Sequence, residues 1–234
     1  MSTQNCSVVS RAEIEFKAAT RVQESFVAVV EKRIVVWLAR RMAAWVNSDH
    51  LTVLGFLGQC LAGLCYAAAR WNRYMLLGGI FFLAVNWFGD SLDGTLARER
   101  KRQRPRYGFY VDHLADSIAA VFLMGGLALS GFVHPAIAIG MLVTFLMLSI
   151  EAYLASYTLG EFRLSYWTFG PTEIRMLLAL GNLALLRWPV VNILGARYLL
   201  FDVGGVIAIA GMTLMFLSFA IRHTATLYRE ESVL

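Results

Sequence analysis

Long apolar runs, separated by short polar or basic stretches, set the pattern of this chain. From residue 51 onward they fall at about 51–69, 74–96, 109–132, 135–159, 172–188 and 199–221. Each is close to the ~20 residues that a helix needs to cross a bilayer. The pattern predicts an all-α integral membrane protein with six transmembrane helices. Residues 12–46 differ. There Phe26, Val29, Ile34, Val35, Leu38 and Trp45 alternate with Lys32, Arg33, Arg40 and Arg41, which predicts an amphipathic helix at the membrane face. Packing under the bundle is its simpler expected role, and attraction to anionic lipid is the other.

Composition agrees with the pattern. The chain has 234 residues, 58% of them hydrophobic, and a mean hydropathy of +0.59, too apolar for a soluble domain of this length. The first 21 residues have no apolar stretch of signal-peptide type and are expected to be retained. Cys6, Cys60 and Cys65 are too few for a disulfide framework, so buried thiols are expected. No domain boundary or repeat is evident inside the apolar region. The division is an N-terminal interfacial segment, residues 1–46, and one six-helix membrane domain, residues 47–234.

Charge adds an orientation. Arg98, Arg100, Lys101, Arg102, Arg104 and Arg106 crowd the stretch between the second and third runs, and the N-terminal segment is also basic. Only Arg70, Arg73, Arg187 and Arg197 fall on the opposite side. The positive-inside tendency places the basic loop and both termini in the cytoplasm. That role accounts for most of these charges. Attraction of an anionic nucleotide or of lipid headgroups is a second one, and nucleic-acid binding is not needed.

Four carboxylates flank the basic loop. Asp90 and Asp93 are three apart near the end of one run, and Asp112 and Asp116 are four apart at the start of the next. Carboxylates cost roughly 2.5–3.5 kcal/mol each in the hydrocarbon layer, so their helical spacing requires a reason. Antiparallel packing would bring both pairs to one depth. Four oxygen-donor side chains suit Mg²⁺, Mn²⁺ or Ca²⁺ better than Zn²⁺, and four acids suffice for two ions. Gly94 and Gly108 allow close approach, and Arg98 lies about a turn from Asp93, placed to meet a phosphate.

The string Asp90-x-x-Asp93-Gly94-x-x-Ala97-Arg98, nine residues, then Gly108-x-x-x-Asp112-x-x-x-Asp116 resembles the signature of the CDP-alcohol phosphotransferases, membrane enzymes of phospholipid synthesis. All eight signature positions match in order. The resemblance implies transfer of a substituted phosphate from a CDP-linked donor, either CDP-diacylglycerol or a CDP-alcohol, to an alcohol acceptor, with release of CMP. It implies two divalent cations, Mg²⁺ or Mn²⁺, held by the four Asp residues, with Asp116 as general base, and often a homodimer. It also implies that Gly94, Ala97 and Gly108 make room for the nucleotide and that Arg98 contacts phosphate. Asn47-Ser48-Asp49-His50-Leu51-Thr52 is similar to the family's approach to its first span, where the positions of Asp49 and Thr52 help bind the nucleotide; Ser48 replaces the usual Pro. Asp49 or Ser48 would also serve as an ordinary helix cap.

Glu151 is expected at about the depth of Asp90, and Glu173 and Arg175 enter the fifth run from the cytoplasmic side. They would either line the pocket for a polar acceptor or form an ion pair, Glu151 or Glu173 with Arg175, that serves structure alone. His50, His134 and His223 read as solvated interfacial residues. His113 follows Asp112 directly, so it should point about 100° away from the carboxylate face; the pair is similar to one in the choline and ethanolamine branch of the family. A cation or proton transporter using the acids as an ion path is the competing class, but it leaves the Gly, Ala and Arg offsets unexplained. An inactive membrane scaffold is the third, and the complete acidic set argues against it.

Overall fold

A computed structural model describes residues 20–22, 28–163, 170–193 and 195–231. In chain order these form β1 (Thr20–Val22), α1 (Ala28–Arg41), α2 (Ser48–Ala68), α3 (Met75–Glu99), α4 (Pro105–Leu129), α5 (Pro135–Thr158), β2 (Glu161–Arg163), α6 (Pro171–Arg187), β3 (Val190–Ile193), β4 (Ala196–Leu199) and α7 (Leu200–Glu230). Among the described residues five helices, α2 to α5 and α7, are long and apolar enough to cross a membrane. The fifth expected run forms α6, whose 17 residues reach only about 25 Å at 1.5 Å per residue.

Local signals explain most boundaries. Three of the four prolines, Pro105, Pro135 and Pro171, open helices, where a missing N–H leaves no bond unmade. At the start of α6 the Glu173 carboxylate accepts the Gly170 N–H at 2.9 Å, one half of a capping box. The cap of α2 is Asn47, rather than Ser48 or Asp49. Its N–H donates to His50 Nδ1 at 3.3 Å, while Ser48 Oγ turns to the Asp93 carbonyl at 3.0 Å.

Two expectations need correction here. The expected helix over 12–46 is interrupted: Thr20–Val22 is a strand paired parallel with Glu161–Arg163, and α1 begins only at Ala28. Phe26 lies outside the described residues. Val35 and Ala39 of α1 pack with Val46, Leu51, Leu92 and Leu96 in a small core, so α1 is covered by α3 rather than resting on lipid alone. At the other end the β3–β4 hairpin, antiparallel from Val190 to Leu199, precedes α7, which continues well past residue 221 to Glu230.

Glycines bring the central helices together. A Cβ on Gly89 would lie 2.4 Å from Gly55 N and 2.5 Å from the Leu51 carbonyl, and one on Gly58 2.7 Å from Asn86 N. On the other face of α2, a Cβ on Gly63 would strike the Phe122 carbonyl at 2.3 Å. Backbone contacts this close need small residues, the usual means of helix packing where lipid is as apolar as the side chains. The main core lies beneath, where Ala62, Tyr66, Leu76, Leu83, Leu123, Leu127 and Leu185 join α2, α3, α4 and α6. Exposed Trp37 and Trp45 at one end of the bundle, and Trp71, Tyr74 and Trp188 at the other, mark the two interfacial belts. The acids lie at the first end.

Candidate active site

The turn between α3 and α4 places the signature. Lys101 takes φ 54 at its tip. Arg100 reaches back, donating from Nη2 to the Met42 and Ala43 carbonyls at 3.1 and 2.9 Å and from Nη1 to the Ala44 and Val46 carbonyls. It thus fixes the α1–α2 connection to the end of α3, a role not apparent from a run of like charges. Arg40 and Glu99 add an ion pair at 2.9 Å.

Carboxylate oxygens of Asp90, Asp112 and Asp116 lie within 4.8 Å of one another. The fourth acid stands beside them and is turned differently: Asp93 Oδ2 accepts from Thr52 Oγ1 at 2.7 Å, and Oδ1 accepts from the Gly94 N–H. Like charges at this spacing repel by about 3 kcal/mol per pair at an effective dielectric near 20, so nearby positive charge stabilises the cluster. Arg175 supplies some, with Nη2 on Asp90 Oδ2 at 2.6 Å and Nε on Asn86 Oδ1 at 2.7 Å. Asn86 in turn donates to the Gly55 carbonyl at 3.0 Å, which fixes its amide and therefore the guanidinium. One guanidinium cannot neutralise three carboxylates. The remaining charge and the all-oxygen donor set fit a hard divalent cation.

Above the acids opens a cavity of about 780 Å³. Asp49, Thr52, Gly94, Ala97, Arg98 and Gly108, all the residues assigned to nucleotide or phosphate, line it together with Asp90, Asp93 and Asp112. Asp49 pairs with Arg104, which also covers the Tyr107 ring at 4.1 Å. Arg98 donates to Thr95 Oγ1 at 2.9 Å. A Cβ on Gly108 would meet nothing within 4 Å, so this glycine is not required by packing and leaves open space at the wall.

The acceptor residues do not gather. Arg175 lines the cavity, but the Glu173 carboxylate serves the start of α6. Buried Glu151 meets His223 Nδ1 at 2.5 Å, joining α5 to α7. His223 is therefore an intramembrane partner and not a solvated residue, while His50 and His134 accept backbone N–H groups at helix starts. His113 turns from the acids as expected, with Nδ1 2.6 Å from the Phe109 carbonyl and its ring stacked on Phe109.

Sequence reasoning missed Glu31, Ser91 and Thr172, which line the cavity, and Asn86, which orients Arg175. The one available signal was that Glu31 is the lone acid in an otherwise basic helix.

Comparison with known proteins decides the family, because the CDP-alcohol phosphatidyltransferase profile matches residues 45–221. The chain belongs to that family. Two similar relatives are archaetidylinositol phosphate synthases. The one from Methanothermobacter thermautotrophicus is 32% identical over 103 residues, 44% of this chain and 49% of the relative. The one from Pyrococcus horikoshii is 34% identical over 113 residues, 48% of this chain and 53% of the relative. The chain thus spans about half the length of the curated relatives it matches. Neither is a choline or ethanolamine enzyme, so the Asp112–His113 pair gains no support as a mark of that branch.

Proposed function

We propose that this CDP-alcohol phosphatidyltransferase transfers a substituted phosphate from a CDP-linked donor to an alcohol in phospholipid synthesis. The observation that carries the reading is the convergence of Asp90, Asp112 and Asp116, the first two of which line the cavity with the other signature residues. The acceptor oxygen forms a bond to the phosphorus that carries the lipid or alcohol group. The bridging P–O bond of the pyrophosphate breaks, and CMP leaves. Asp116, the base by family resemblance, takes the hydroxyl proton. A carboxylate is a weak base alone, so its effect rests on position and on an acidified hydroxyl. Two divalent cations, Mg²⁺ or Mn²⁺, held by Asp90, Asp93, Asp112 and Asp116, would supply that acidification and offset charge on the pyrophosphate. Arg98 and its basic neighbours hold the donor's phosphates, while Asp49, Thr52, Gly94, Ala97 and Gly108 shape the nucleotide end.

The relatives' name points to a lipid-linked inositol phosphate, which favours a CDP-activated lipid as donor and inositol phosphate as the first acceptor to test. The reading includes six spans, with α6 as the short one, both termini and the site facing the cytoplasm, a separate interfacial N-terminal segment, and a homodimer.

Purified protein in detergent with Mg²⁺ or Mn²⁺ is the test. CDP-diacylglycerol, CDP-choline and CDP-ethanolamine are each offered with inositol phosphate, glycerol phosphate, serine and diacylglycerol. CMP release that is lost in Asp116→Asn is the expected result. Absence of CMP from every pair, with Mn²⁺ still bound, would return the transporter and scaffold readings.

A further inference from the structure

Glu31 is only 9% exposed, yet it lies on the cavity wall. Its Oε1 accepts three bonds, from Trp87 Nε1 at 2.8 Å, Ser91 Oγ at 3.0 Å and Thr172 Oγ1 at 2.8 Å. The donors come from α3 and α6, and Ser91 and Thr172 share the cavity wall with Glu31. A carboxylate withdrawn from water needs such partners. Among the described residues none donates to Oε2.

The direction of these bonds constrains any ligand. A serine or threonine hydroxyl has one proton, and Ser91 and Thr172 both commit theirs to Glu31 Oε1. Their oxygens are then left to accept only. With Glu31 Oε2 they form a patch of three acceptors whose two hydroxyl oxygens, each about 3 Å from one carboxylate oxygen, lie within about 6 Å of each other. The patch adjoins the reaction centre: Ser91 follows Asp90, and Thr172 lies one turn before Arg175, which holds Asp90.

We infer that Glu31, Ser91 and Thr172 form the specificity-determining wall for the acceptor, and that it takes a polyol phosphate through neighbouring hydroxyls. The inference rests on the phosphotransfer reading above. Several O–H donors at fixed spacing satisfy such a patch. An amino alcohol also donates, but it carries no phosphate for Arg175 and Lys32, two cations that line the same cavity. Sites built to bond hydroxyls reject analogues that lack them, because their buried acceptors are then left unpaired.

The test compares the wild-type chain with Glu31→Gln, Thr172→Val and Thr172→Ser in detergent. Its readouts are the KM for CDP-diacylglycerol and kcat/KM for inositol phosphate, glycerol phosphate and serine. Wild type should prefer the polyol phosphates. Glu31→Gln and Thr172→Val should raise the KM for inositol phosphate about tenfold or more, with the donor KM within about twofold, and Thr172→Ser should retain the preference. Parallel rises in donor and acceptor KM indicate a structural role and overturn the inference, as does a wild-type preference for serine. Calorimetric binding of inositol phosphate to Asp116→Asn, with and without Glu31→Gln, reads the wall without turnover. Should wild type release no CMP at all, phosphotransfer fails by itself; binding weakened by Glu31→Gln still upholds the wall, and unweakened or absent binding sinks it.

Discussion

Gly89→Ala and Gly108→Ala make opposite demands on the same site. At Gly89 the new Cβ would be 2.4 Å from Gly55 N, 2.5 Å from the Leu51 carbonyl and 2.6 Å from Gly55 Cα. All three are backbone atoms, so no side chain can swing aside, and α2 and α3 must part by roughly 1 Å to restore van der Waals separation. Overpacking of this kind costs about 1–3 kcal/mol. The Asn86 bond to the Gly55 carbonyl, at 3.0 Å, would stretch beyond hydrogen-bond range and cost about another 1 kcal/mol. The expected loss is therefore about 2–4 kcal/mol. Asp90 is the next residue, and Asn86 orients Arg175 against it, so the carboxylate cluster should open as well. A misplacement of about 1 Å costs on the order of a hundredfold in rate.

At Gly108 the added methyl meets no protein atom within 4 Å. It should leave stability unchanged or raise it by up to about 1 kcal/mol through helix propensity, while intruding on the ligand's space. Thermal unfolding in detergent, Mn²⁺ affinity by electron paramagnetic resonance and CMP release separate the two. Gly89→Ala should lose stability and metal affinity together. Gly108→Ala should keep both and lose turnover through a raised donor KM. A Gly89→Ala protein as stable as wild type would refute the α2–α3 contact, and full turnover in Gly108→Ala would refute the placement of the donor.

Three further outcomes follow from residues remote from the chemistry. Arg100→Met should destabilise the fold by about 1–3 kcal/mol, since four carbonyls around the α1–α2 turn lose their donor; Arg100→Lys should recover little, because an ammonium lacks the planar fork. Thermal unfolding checks both. Tyr66→Phe removes the bond to Asn182 Oδ1 at 3.0 Å; since Asn182 Nδ2 already lacks a partner among the described residues, the amide would be buried wholly unpaired, at about 1–3 kcal/mol, with KM values unchanged. His223→Ala should strand Glu151, at 8% exposure, and lower the melting temperature by several degrees; Mn²⁺ affinity should not move, because the pair lies outside the carboxylate cluster.

The parts of the fold that were legible are those set by short-range pattern. Apolar runs located α2 to α5 closely, and the i, i+4 spacing placed Asp112 and Asp116 on one helix face, where Asp90 joins them while its i, i+3 partner Asp93 turns to Thr52. The parts that were not legible depend on contacts across helices. Glu31 was not singled out within the amphipathic segment, and only the packing of α1 against α3 and α6 shows that it gathers three donors. An ion pair of Arg175 with Glu151 or Glu173 was one of two expected roles, the other being to line the acceptor pocket. Depth along a helix is readable from residue number, but rotation about its axis relative to a third helix is not, and rotation gives Arg175 to Asp90 and Glu151 to His223. The strand Thr20–Val22 pairs with residues far along the chain, a partner that no local window contains.

The basic loop was read as one object, and its residues now divide by partner. Arg100 is committed to carbonyls, so its charge holds α1 to the bundle and is a poor candidate for attracting a ligand. Arg104 is paired with Asp49 and covers Tyr107, yet it lines the cavity, as do Arg98 and Arg102. The same run of positive residues therefore serves closure of the fold and the electrostatics of the cavity, beside the orientation in the membrane that was expected of it. Net charge cannot separate these duties, but partners can: Arg100 is turned to the α1–α2 carbonyls, whereas Arg98, Arg102 and Arg104 line the cavity with the carboxylates. Asp90, Asp93 and Asp112 line one cavity with Arg98, Arg102, Arg104 and Arg175, so both signs of charge face the same space, which suits a bound phosphate better than the passage of a cation. That polarity, more than the presence of carboxylates in a membrane, separates a phosphotransferase site from an ion path.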